Sequence, residues 1–73
     1  MFAISLQRGG HVRRYSVRSS VSAGWEVSLE EDRAVSRRVR YRDWHRVERA
    51  MALLEREIAD LATQGWEVQS SQQ

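Results

Sequence analysis

At Asp43 the apolar residues of this chain change their spacing. Ahead of it they recur at every second position: Phe2, Ile4 and Leu6 alternate with Ala3, Ser5 and Gln7, and Trp25, Val27 and Leu29 alternate with Glu26, Ser28 and Glu30. Beyond it Trp44, Val47, Met51, Leu54, Ile58 and Leu61 recur at steps of three and four. A strand turns successive side chains to opposite faces, whereas a helix returns to the same face about every 3.6 residues. The chain therefore predicts strands first and one helix last. A sheet with one apolar face needs a cover, so the helix is expected to pack on it rather than pair in a coiled coil of barely three heptads.

Local signals place the boundaries. Gly9-Gly10 suits a tight hairpin turn, and a second strand runs from about Val12 to Arg18 with Tyr15 and Val17 inward. The small polar loop SSVSAG precedes the third strand, and the acidic turn EEDR precedes a fourth in which Val35, Val39 and Tyr41 share one parity. Arg37 falls on that apolar parity too, which means either that it lies past the edge of the core or that a bulge shifts the register. Asp43 is the expected N-cap, and Gly65 the residue just past the helix end. Leu53 points away from the apolar stripe. The tetrapeptide GWEV occurs twice, at residues 24–27 and 65–68, but its flanks differ and no repeat follows. Trp66 and Val68 are expected to fold back over one end of the core. The predicted fold is α+β, a four-stranded antiparallel sheet covered on one face by a single C-terminal helix, forming one domain over residues 1–68 with a flexible tail at 69–73.

With 73 residues the core is small and no staple supports it. The absence of cysteine excludes disulfides and thiolate metal sites, the two histidines, His11 and His45, lie far apart, and no metal or cofactor is expected. The opening MFAISL is too short and too lightly charged for a signal peptide, and no run approaches the roughly 18 apolar residues of a membrane span. A soluble, cytoplasmic protein with no membrane partner is expected.

Asp43, His45 and Glu48 cluster at the helix start, a residue set suited to acid–base or metal chemistry. Arg46 and Arg49 surround them and oppose both a bound cation and a protonated imidazole, so a helix cap beside a surface histidine is the expectation. No serine has a suitably placed base, and Gly9-Gly10 lacks the strand, glycine loop and helix order of a phosphate-binding fingerprint. The chain is not expected to be an enzyme.

Charge is the stronger signal. All twelve basic residues are arginine, a bias that a GC-rich coding sequence would also produce. Residues 1–42 hold nine of them against four carboxylates, whereas residues 43–73 hold three against six. If the helix covers the inward face, the outward face carries Arg14 and Arg18, then Glu26 and Glu30, then Arg38, Arg40 and Arg42. Such a face is either a solvated ladder, each cross-strand pair being worth roughly 0.2 to 1 kcal/mol, or a surface for an anionic polymer. All six aromatics take inward or core-sealing positions, so no base-stacking platform is expected and contact would be to backbone or duplex.

The segments RRYSV on a strand, GWEV after a loop, a basic strand, and a helix ending in QGW resemble the small WGR domain over Arg13 to Trp66. The triplet that names that family falls near Glu31, Asp32 and Arg33, where only the arginine is kept. The resemblance implies a strand-rich sheet followed by a helix, and contacts to DNA or neighbouring domains through the sheet and this loop.

Together these readings predict a small non-enzymatic binding module that contacts nucleic-acid backbone through Arg14, Arg18, Arg38, Arg40 and Arg42. The alternative is a protein-interaction or homodimerisation module using an open sheet edge, or Leu53 with the small Ala50 nearby. A continuous positive stripe would favour the first. Arg–Glu neutralisation beside an apolar patch would favour the second.

Overall fold

The computed structural model describes residues 2–19 and 24–69. Five strands, β1 (Phe2–Arg8), β2 (His11–Ser19), β3 (Trp25–Glu31), β4 (Ala34–Tyr41) and β5 (Glu67–Gln69), flank one helix, α1 (Trp44–Thr63), in the chain order β1-β2-β3-β4-α1-β5. They form a single antiparallel sheet in the spatial order β4-β3-β2-β1-β5. The α+β architecture is that read from the sequence, with one strand more. Trp66 folds back half-buried as expected, but the residues after it pair with β1: Val68 stands opposite Leu6 and remains 49% exposed, so it does not seal the core. Gln69, expected to open the tail, pairs with Ser5. The rest of that tail and most of the SSVSAG loop lie outside the described residues.

Two kinds of two-residue turn hold the meander. Gly9 takes φ +59° at the first position of the β1–β2 hairpin, where glycine meets no steric penalty. The β3–β4 hairpin instead places Asp32 and Arg33 at φ 52° and 72°. Two positive values fit the primed turn that matches strand twist. Asp32 is fastened there: its backbone N–H donates to the Val12 carbonyl at 2.8 Å, its Oδ1 accepts from Val12 N–H at 2.9 Å, and its Oδ2 meets His11 Nδ1 at 3.0 Å. The His11 contact, then the Val12 amide, lower its pKa. Arg33 is exposed and has no ion-pair partner among the described residues, so it bears the left-handed conformation without return. Arg33→Gly is therefore expected to stabilise by about 0.5 kcal/mol, the relief of left-handed strain outweighing the extra freedom of the unfolded chain. Thermal unfolding should rise by about 3 °C; a fall would show that the arginine side chain contributes more than the backbone strain costs.

The helix starts and stops as its residues dictate. Asp43 accepts from the His45 N–H at 3.0 Å. At the other end Gly65 takes φ +100°, while Trp66 N–H donates to the Leu61 carbonyl and Gly65 N–H to that of Ala62, the paired bonds of a Schellman cap. Because α1 leaves the β4 edge and delivers the chain to the β5 edge, it must cross the whole sheet. Its 20 residues rise about 30 Å, against about 19 Å for four strand spacings, so its axis runs diagonally. The core forms beneath it from Leu6, Tyr15, Val17, Val27, Leu29, Val47, Leu54 and Leu61. Trp25 and Trp44 meet with ring centroids 5.2 Å apart, although Trp44 remains 43% exposed.

Candidate functional site

The diagonal helix divides the helix-side face of the sheet unequally. Arg13 and Glu31 lie on this side, opposite each other in register and in line with Leu6, at a corner the helix does not cover. Arg13 is held there by three neighbours: Glu31 at 3.5 Å, the Tyr15 hydroxyl at 3.5 Å and the Trp66 ring at 5.3 Å. The Tyr15 contact is the main cause of its raised pKa. RRYSV thus splits across the sheet, with Arg13 in this corner and Arg14 on the open face.

The uncertainty over Arg37 resolves into a bulge. Leu29 pairs with Arg37 while Glu30 pairs with Val35, so Ser36 is the extra residue, and its hydroxyl donates to the Leu29 carbonyl at 3.5 Å. Beyond Ser36 the parity of β4 inverts. Val39 and Tyr41 keep the helix side, as expected, but Val35 is turned to the open face. Arg37 stays on the helix side and reaches Glu57 of α1 at 3.2 Å.

On the open face Arg14, Arg18, Arg38 and Arg40 occupy the positions expected of them, and Arg42 lies one residue past the end of β4, exposed. Three of them are gathered onto one carboxylate. Arg18, Arg38 and Arg40 converge on Glu26, at 3.9, 3.6 and 3.4 Å. Glu26 is only 14% exposed beneath these arginines, which are themselves at least half exposed. Beside them Ser16 and Ser28 share a 2.8 Å hydrogen bond. The fifth strand adds Glu67 to this face, in register with Gln7. Arg14 and Arg42 have no ion-pair partner among the described residues.

Leu53, Ala50 and an open sheet edge, expected as the alternative surface, come together on the other side of β4 in a groove whose shape the sequence did not reveal. Between α1 and the outer half of the sheet runs a groove of about 410 Å³, with Val39 and Tyr41 on one wall and Ala50, Leu53 and Leu54 on the other. Arg46, Arg49 and the Arg37–Glu57 pair rim it. Leu53 is 64% exposed and Val39 40%. Leu53 had stood out as a leucine off the stripe; its relation to Val39 depends on the helix axis, which no periodicity reveals. Alongside the groove β4 is an edge strand, with half of its backbone groups unpaired by the sheet.

Asp43 serves the helix cap, and His45 Nδ1 meets Glu48 Oε1 at 3.7 Å on an exposed surface. No helix among the described residues is long and apolar enough to cross a membrane. No family model, curated protein or solved structure matches the chain.

Proposed function

We propose that this chain is a non-enzymatic protein-interaction module that binds a protein partner at the α1–β4 groove. The observation that supports this most is an exposed apolar groove beside an unpaired strand edge, on a domain whose opposite face gathers three of its arginines onto Glu26. Single exposed apolar residues are ordinary, whereas two facing each other across a concave surface point to a contact site. The nucleic-acid reading draws on what remains: Glu26 offsets one charge of three arginines, and Arg14 and Arg42 have no ion-pair partner among the described residues. Among the described residues no exposed aromatic row accompanies them on that face.

A photo-crosslinking residue at position 53 is expected to give a discrete protein adduct in cells that is absent from position 14 and lost with Val39→Asp. Duplex DNA and RNA at about 50 mM salt, where counterion release favours association most, supply the opposing measurement. Binding whose log–log salt slope on DNA flattens by about two units when Arg38 and Arg40 are both replaced would overturn the protein-interaction reading and restore the arginine face as the site.

A further inference from the structure

The groove lies against the longer of the two sheet edges. β5 is three residues long, whereas β4 presents Arg37 to Tyr41 as an uninterrupted stretch past the Ser36 bulge. Five residues span about 17 Å, the length of an ordinary strand. Within that stretch Val39 and Tyr41 face the groove, while Arg38 and Arg40 face the open side. An added strand would meet apolar surface and positive charge at alternate positions.

Its chemistry is limited by what β4 repels. A second copy pairing through the same edge would set arginine near arginine, because Arg37, Arg38, Arg40 and Arg42 are concentrated there. The rim adds Arg46 and Arg49, and among the described residues the group's ion pairs run to Glu57 and Glu26. Charged residues and a bulge are the usual means by which an edge avoids its own kind. The same charges select an acidic partner.

Resting on the reading of the groove as a protein-binding site, we infer that β4 accepts an extended acidic segment of a partner protein by strand addition. An apolar side chain of that segment enters the groove between Val39 and Leu53, and the acidic residues on either side of it meet Arg38 and Arg40. Main-chain bonds to the free edge of β4 supply affinity, and the alternation of acid and apolar residues supplies specificity.

The test uses the intact chain and an acetylated, amidated nonapeptide of sequence E-V-E-L-E-V-E-L-E. Amide shifts followed during titration are expected to move along residues 37–41 and around Leu53, with a Kd on the order of 100 μM, typical of a short, unstructured ligand that must be ordered on binding. A peptide with N-methyl groups on the edge-facing amides should bind at least tenfold more weakly, as should the chain carrying Leu53→Asp. The matching lysine peptide should not bind. Because Leu53 is exposed, the aspartate variant should keep its thermal transition, and that is checked first; Arg38→Glu with Arg40→Glu, which should reverse the preference toward the lysine peptide, is the second variant. Equal binding of both peptides, indifference to N-methylation, or shifts confined to the open face around Glu26 would overturn the proposal. So would a dimer in sedimentation that buries residues 37–41. A specific adduct at position 53 without any response to the acidic peptide would overturn strand addition alone and leave the groove as the binding site.

Discussion

Gly24→Ala is expected to remove on the order of 3 to 5 kcal/mol of stability, from a domain whose size sets the total at roughly 4 to 11 kcal/mol. Gly24 takes φ +97°, outside what an L side chain readily adopts. A Cβ there would press against the Tyr41 carbonyl oxygen and lie 3.3 Å from the Arg42 Cα. Both obstacles are backbone, so no rotamer change relieves them, and the next residue, Trp25, is locked opposite Tyr41. The substitution should shift the urea midpoint sharply downward with little change in the denaturant slope. A loss below 1 kcal/mol would mean that the chain entering β3 can move away from β4 at small cost. Gly9→Ala is the companion measurement: its Cβ meets nothing within 4 Å, so only the conformational penalty remains.

The second large effect is centred on Tyr15, the bulkiest fully buried side chain, which lies between Ile4 of β1 and Leu29 of β3. Tyr15→Ala should cost about 3 to 5 kcal/mol through lost burial and the cavity left behind. Tyr15→Phe keeps the ring and gives up only the 3.5 Å contact from Arg13, so it should cost under about 1 kcal/mol. Equilibrium unfolding of the pair separates packing from the polar contact. Similar losses for both variants would show that the hydroxyl, and through it Arg13, holds the corner beside Trp66.

The elements that could be read from the sequence are those with local causes. Alternation in FAISL and WEVSL, the step of three and four from Trp44, the carboxylate of Asp43 and the glycine at 65 each act within a few residues of themselves. Trp25 and Trp44 each open one of these apolar patterns, and their rings meet where sheet and helix face each other. What escaped depends on distant partners. β5 contains one apolar residue, Val68, and becomes a strand because β1 offers it a ladder some sixty residues earlier. Arg13 takes the helix side because it shares the parity of Tyr15 and Val17, but that the corner there is left open to it is a property of α1 and not of RRYSV. The Ser36 bulge showed in the sequence only as a conflict, an arginine on an apolar parity, and the conflict could not say which neighbour carried the extra residue. The arginines of the open face were placed correctly on their strands, Arg42 excepted, but three of them turning to one glutamate is a matter of side-chain reach. The groove required the helix angle itself.

The β1–β5 pairing carries a kinetic consequence. The first four strands follow one another through short connections and can zip together with little loop-closure cost, whereas Ser5 meets Gln69 only after the helix has been laid across the sheet. The last contact made is also the cheapest to lose, since three residues hold it. Opening there would bare Ser5 to Gln7, the continuation of a stretch from Phe2 to Leu6 that is uncharged, apolar at alternate positions and free of proline, the composition that stacks into intermolecular sheets. β5 thus works as a guard over an aggregation-prone edge, and damage to this small strand should appear as precipitation on storage before it appears as a lower melting temperature.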